Sequence, residues 1–176
     1  IASTEYTPYY DMLKLFKRQY KLVDSSVENR FFPSVDDYVD IESNDRNLIL
    51  LSNPCNPTGL TRHGNELKEL VERGSFGSSG LLIDEAYELF HSPPVSALSH
   101  IKNINESNLF VAGAATKGFQ APGIRIGWVI AAKNNIEILG NFSSFGMGGV
   151  SHPSQLYALE LLKRERTDLS REALPE

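Results

Sequence analysis

The chain has 176 residues, 41% hydrophobic and 22% charged, enough apolar material for one packed domain or a piece of a larger one. Seventeen basic against twenty-two acidic residues leave a net charge of −5, so composition offers nothing to a nucleic acid or another polyanion. No apolar run approaches the roughly 18 residues of a membrane span, and the single cysteine, Cys55, excludes an internal disulfide.

No basic and apolar leader pattern opens the sequence, so with one cysteine the expectation is a reducing compartment, the cytoplasm. The four histidines, His63, His91, His100 and His152, lack metal-ligand spacing, and no metal site is expected.

In chain order, Thr7-Pro8 predicts an N-cap followed by proline at the first helical position. Met12, Leu15 and Phe16 share one face of the helix that follows. Tyr20 to Val23 is a candidate short strand. The polar stretch Asn44 to Asn47 precedes Leu48-Ile49-Leu50-Leu51, a continuous apolar run of the kind buried parallel strands show. Leu67, Leu70 and Val71 mark one face of an amphipathic helix, and Gly74 to Gly80 is a glycine and serine loop. Leu81-Leu82-Ile83 is the next buried strand, Leu109 to Ala112 a third, and Arg125 to Ala131 a fourth. A helix from about Asn134, a glycine loop at Gly146 to Gly149 and a last helix from about Pro153 to Arg164 complete the pattern. Strands alternating with helices predict an α/β fold with a mostly parallel sheet and flanking helices. In such sheets ligands sit beyond the carboxyl ends of the strands.

Three strands end in unusual polar sequences. The first runs into SNPCNPTG, Ser52 to Gly59, where two prolines and a glycine hold Asn56 in a rigid turn. A fixed asparagine can donate to a ligand at little entropic cost; the alternative is a plain turn before the next helix. The second runs into DEAY, Asp84 to Tyr87. A carboxylate at the end of Leu-Leu-Ile is expected to be part-buried and to need a cationic partner, such as a protonated heterocyclic nitrogen. The alternatives are a helix cap or a structural ion pair. Tyr87 can face the same way. The third strand leads to Thr116-Lys117, with Arg125 eight residues on. Burial of Lys117 would favour its free amine, a nucleophile toward carbonyls, whereas a loop lysine on the surface would carry no such role. The Arg125 fork suits a phosphate. An amine, an acid for a ring nitrogen, donors for a ring oxygen and a cation for a phosphate together describe the needs of pyridoxal phosphate.

In these motifs the chain resembles the class I/II aminotransferases of the fold-type I pyridoxal-phosphate enzymes. NPTG at Asn56 to Gly59, DEAY at Asp84 to Tyr87 and TKGFQAPGIRIGW at Thr116 to Trp128 occur in the family's order, and the resemblance extends from about Ile1 to about Leu162. It implies that Lys117 is the catalytic lysine, forming the Schiff base with the cofactor and carrying the substrate proton. It implies further that Asp84 partners the pyridine nitrogen, that Asn56 and Tyr87 donate to the ring's phenolic oxygen, and that Arg125 binds the phosphate. Tyr6 stands where the family places an aromatic that stacks on the ring. Ala114 stands where the family has a phosphate-contacting serine, and Thr116 is the candidate replacement.

The implied activity moves an amino group between an amino acid and a 2-oxo acid, by a homodimer as in the family. A carbon–sulfur lyase or decarboxylase on the same scaffold is an alternative, as is a catalytically inert α/β fragment acting only as an interaction surface. A nucleotide-binding module is disfavoured because no G-x-G-x-x-G follows a strand. Residues 1–176 are expected to be a single cofactor-binding domain fragment, without the family's N-terminal phosphate loop and its C-terminal small domain.

Overall fold

The structure, a computed structural model, describes residues 1–39 and 46–163. Two runs of apolar residues, β1 (Leu48–Ser52) and β2 (Gly80–Asp84), lie parallel, with α3 (Gly64–Gly74) between them in sequence. β3 (Leu109–Ala114) adds parallel to β2, and β4 (Gly127–Ala131) adds antiparallel to β3, giving the order β1-β2-β3-β4. Only the loop 115–126 joins β3 to β4, and a connection without a crossover element can return the chain only antiparallel. The sheet is thus mostly parallel, with its reversed strand at the edge.

The register explains the core. Ile49 aligns with Leu81 and Leu81 with Leu109; Leu51 aligns with Ile83 and Ile83 with Val111. With a side-chain period of two, all six point to the same face. There they pack with Leu67, Leu70 and Val71 of α3, all three fully buried, together with Val35 and Ala97. Each such leucine contributes about 1.5–3 kcal/mol by leaving water. Gly74 closes α3 against the sheet, where a Cβ would stand 3.1 Å from Ile49 Cδ1.

Several local expectations change. Thr7 is the N-cap and Pro8 the first helical residue, as the sequence predicts, but the Thr7 side chain makes no capping bond, because its own backbone is already helical at φ −50° and ψ −39°. The entry to α1 (Pro8–Leu15) is instead fixed by the Tyr10 hydroxyl, which donates to Ala2 O at 2.6 Å and accepts from Glu5 N at 3.0 Å. Met12, Leu15 and Phe16 are exposed, so the apolar side of α1 packs against none of the described residues closely enough to bury it. Tyr20 to Val23 forms no strand; a single parallel bridge joins Ala2 to Val23. The fourth strand begins at Gly127 rather than Arg125, whose left-handed φ of 53° interrupts extended backbone. A short helix α2 (Val35–Tyr38), capped reciprocally by Ser34 and Asp37, was not expected from the pattern. Gly146 ends α4 (Lys133–Gly146) rather than opening the glycine loop, and α5 spans His152–Leu161. Asn44, Asp45 and Arg164 lie outside the described residues.

Candidate active site

Parallel alignment brings the ends of three strands to one edge. Ser52 is in register with Asp84, and Asp84 with Ala112, two residues short of the end of β3. Backbone bonds extend the ladder past the strands: Asn53 N donates to Asp84 O at 2.9 Å and Glu85 N donates to Ala112 O at 2.7 Å. The polar sequences that follow β1, β2 and β3 therefore leave the sheet side by side.

The loop after β1 is locked by a residue the sequence did not single out. Asn53, 1% exposed, accepts from Arg62 N at 2.7 Å and donates to Arg62 O at 3.0 Å, closing the loop from 53 to 62. Within it Cys55 N donates to Leu60 O and Gly59 N to Cys55 O, at 2.8 and 2.7 Å, with Gly59 at φ 72° as that turn requires. The Asn56 backbone N donates to Ser52 Oγ at 3.0 Å. Arg62 is itself buried: it pairs with Glu66, donates to Pro33 O, and lies 4.0 Å over the Phe32 ring. A buried guanidinium with both an anion and a carbonyl to satisfy it ties the segment before α2 to this loop.

Asp84 is half-buried, as its strand predicts. Its carboxylate accepts from the Tyr9 hydroxyl at 2.6 Å through Oδ2 and from Ala86 N at 2.9 Å through Oδ1. Both donors are neutral, and among the described residues no ion pair includes Asp84. Burial, then the bond to Asp84, pushes the Tyr9 phenol far above its ordinary value, so it stays a donor at any working pH. Tyr6, exposed at 43%, meets Tyr9 edge-on with ring centroids 5.4 Å apart. Tyr9 was missed in the sequence, although its place three residues after Tyr6 at the start of a helix puts both on one side.

Lys117 follows β3 and is exposed, where the sequence leaves burial and the surface both open. The chain leaves the sheet in turns from Ala115 onward, which carries the lysine off the strand end into the open. Its ammonium sits 5.5 Å above the Tyr87 ring, a cation–π contact. Tyr87 and Asn56 in turn line one cavity of about 260 Å³, with Pro57 and Phe90. Thr116, beside Lys117, is half-buried. Arg125 is exposed, and its Nη1 donates to Pro122 O at 2.9 Å. Lys117, Tyr87 and Asn56 thus form one linked group, and Asp84, Tyr9 and Tyr6 another, both built on the ends of adjoining strands.

Residues 1–173 match the family model described as aminotransferase class I and II. The chain belongs to that family. A probable aspartate/prephenate aminotransferase of Aquifex aeolicus is 27% identical over 177 residues, covering 95% of this chain and 43% of the relative. A histidinol-phosphate aminotransferase of Buchnera aphidicola subsp. Schizaphis graminum is 39% identical over 92 residues, 52% of this chain and 25% of the relative. Among solved structures, a PLP-dependent aminotransferase from Streptococcus suis superposes with a TM-score of 0.80 at 26% identity, over 97% of this chain and 44% of that one. An aspartate aminotransferase mutant from Thermus thermophilus shares the fold, with a TM-score of 0.82 at 21% identity over 98% of this chain and 46% of that one. The chain spans less than half the length of these relatives.

As a member of the family, the chain has the fold-type I large-domain architecture and its cofactor is pyridoxal phosphate. No helix among the described residues is long and apolar enough to cross a membrane, and none of their His, Cys, Asp and Glu residues cluster as a metal site would need.

Proposed function

We propose that this chain supplies the cofactor-holding part of an aminotransferase that moves an amino group between an amino acid and a 2-oxo acid. The observation that carries the reading is Asp84: a half-buried carboxylate held by two neutral donors, with no cation paired to it among the described residues. Such a group is stabilised by a cationic ligand atom, and the protonated ring nitrogen of pyridoxal phosphate is one. The other residues suit the rest of that molecule. Asn56 and Tyr87 offer an amide and a phenol from one cavity, Lys117 offers an amine beside Tyr87, and Tyr6 offers an aromatic face next to Tyr9.

When bound, the cofactor supplies an electron sink for the carbon that loses its proton. The chain's own residues do the rest. Asp84 holds a positive charge at the far end of the ring, with Tyr9 and Ala86 N keeping its two oxygens in place. Lys117 presents its amine to a carbonyl and carries a proton to and from the substrate carbon, positioned by the face of Tyr87. Asn56 and Tyr87 hold the ring oxygen. Arg125 and Thr116 receive the phosphate, Arg125 by exchanging its bond to Pro122 O for a fork on the anion. The small-molecule substrates, a homodimer and a cytoplasmic location complete the reading, the last supported by a single, free cysteine.

The test is to titrate the full-length enzyme that carries this chain with pyridoxal phosphate, follow the shift of cofactor absorbance, and then supply an amino acid with 2-oxoglutarate. A shifted band that an amino acid discharges, with its 2-oxo acid appearing in step, is the expected result. Release of sulfide or carbon dioxide instead would move the reaction to a lyase or decarboxylase.

A further inference from the structure

Glu5 is a buried acid that the proposed chemistry does not use. It lies just before α1, 6% exposed, yet its carboxylate reaches the end of β1, 47 residues away. Glu5 Oε2 accepts from the Ser52 hydroxyl at 2.6 Å, and both carboxylate oxygens lie 3.2 Å from Ser52 N. Ser52 Oγ accepts in its turn from the backbone N of Asn56 at 3.0 Å. A hydroxyl has one hydrogen and two lone pairs. With the hydrogen given to Glu5, a lone pair is left for Asn56, so the two bonds select one orientation of the serine.

We propose that Glu5 is a positioning residue whose ionisation, relayed through Ser52, fixes the backbone at Asn56 and with it the side chain that faces the cofactor's ring oxygen. The inference rests on the role of Asn56 given under Proposed function. Ionised, Glu5 makes charge-assisted bonds, which are roughly twice as strong as neutral ones. Protonated, it accepts weakly and offers its own hydrogen to Ser52 Oγ, so the orientation that serves Asn56 is no longer enforced.

The surroundings make this a switch near neutrality. Burial pushes the Glu5 carboxyl up to about 7, against the opposing pull of its bonds from Ser52. Tyr9, Tyr10 and Tyr38 face it and are themselves raised by burial, so they stay neutral in this range. Cys55 and Arg62 line the same small cavity, and Arg62 is engaged by Glu66 and Pro33 O. The amino group of Ile1, lowered by its own burial, is the smallest influence on Glu5.

The experiment follows the ¹⁵N amides of Ser52 and Asn56 without cofactor, from about pH 5.5 to about pH 8.5, a window that spans the Glu5 transition. In the wild type both should titrate with a midpoint near that of the Glu5 side-chain carboxyl, read by ¹³C in the same sample. In Glu5→Gln neither should titrate; in Ser52→Ala the carboxyl should still titrate and Asn56 should not follow. Pyridoxal phosphate affinity, as the ratio of wild type to Glu5→Gln, should fall on the order of fivefold on going from the basic to the acidic end. By reciprocity, bound cofactor should move the Glu5 midpoint to lower pH by the logarithm of the same factor. An Asn56 amide that titrates unchanged in Glu5→Gln, or not at all in the wild type, overturns the proposal, as does an affinity ratio flat with pH. Failure of the cofactor to bind would sink the role of Asn56 while leaving the amide measurements to judge the relay.

Discussion

The Tyr9 hydroxyl donates to Asp84 Oδ2 at 2.6 Å, joining the first turn of α1 to the end of β2 across 75 positions of sequence. The bond serves fold and site together, since it anchors a helix that buries no residue of its own and sets the plane of the carboxylate. Asp84→Asn keeps the shape and removes the charge. Loss of an electrostatic partner of this kind is commonly worth on the order of 3 kcal/mol, a hundredfold in rate. Tyr9→Phe leaves the charge and the bond from Ala86 N, so it should cost about 1 kcal/mol in stability and much less in turnover. Steady-state kcat for the two variants checks the order; Tyr9→Phe slower than Asp84→Asn, or Asp84→Asn at full speed, would remove the carboxylate from its role.

Much of this was legible in the sequence. β1, β2 and β3 were readable because each is an apolar run closed by a polar motif, and α3 because Leu67, Leu70 and Val71 recur at helical spacing. The bonds that tune the site were not readable. Tyr9 to Asp84, Glu5 to Ser52 and Asn53 to Arg62 pair residues whose proximity exists only after the sheet has aligned its strand ends. The sequence leaves Lys117 open between burial and the surface; the backbone turns away at Ala115 and leaves the side chain exposed. Hydrophobic pattern reports which face of a strand is buried and says nothing of where the next turn points.

Lys117 is the residue that reduction should mark. Borohydride treatment of the protein with pyridoxal phosphate, followed by peptide mapping, is expected to place the pyridoxyl group on Lys117, the amine held 5.5 Å over the Tyr87 ring. Lys117→Ala should give no label at this site. A label on Lys102, Lys133 or Lys163 in the wild type would move the chemistry elsewhere on the surface.

The approach of β4 to β3 depends on a missing side chain. Gly113 lies opposite Trp128 in the antiparallel pair, and a Cβ there would fall 2.6 Å from Trp128 Cε2. Gly113→Ala therefore forces the indole to move, and overpacking of this kind typically costs 1–3 kcal/mol, roughly. Trp128 is the chain's one tryptophan, so its fluorescence reads the displacement directly. As a contrast, Leu70→Ala empties a fully buried position under the sheet and should cost about 2–5 kcal/mol with the emission spectrum unchanged. Equal denaturation midpoints for Gly113→Ala and the wild type would show that the indole has room to rotate.

Glu85 gives the clearest pH signature. It is 2% exposed, its Oε1 accepts from Ala97 N at 2.7 Å, and burial pushes its carboxyl up from 4.5 to about 7. A raised folded value means that, between those two limits, the folded chain binds more protons than the unfolded one. Its stabilising contribution is therefore complete below about pH 4.5 and is lost as pH rises through about 7. The full loss is on the order of 3 kcal/mol for such a displacement. Glu85→Gln keeps an oxygen for Ala97 N and cannot ionise, so it removes the loss. Urea midpoints of wild type and Glu85→Gln should lie close together near pH 5 and diverge toward pH 8, with the variant the more stable by about 1–3 kcal/mol. Because Glu5 titrates over the same range, the wild-type curve alone does not identify the group, and the difference between the two proteins does. Parallel curves from pH 5 to 8 would mean that Glu85 stays ionised in the core, its charge carried by Ala97 N and its neighbours.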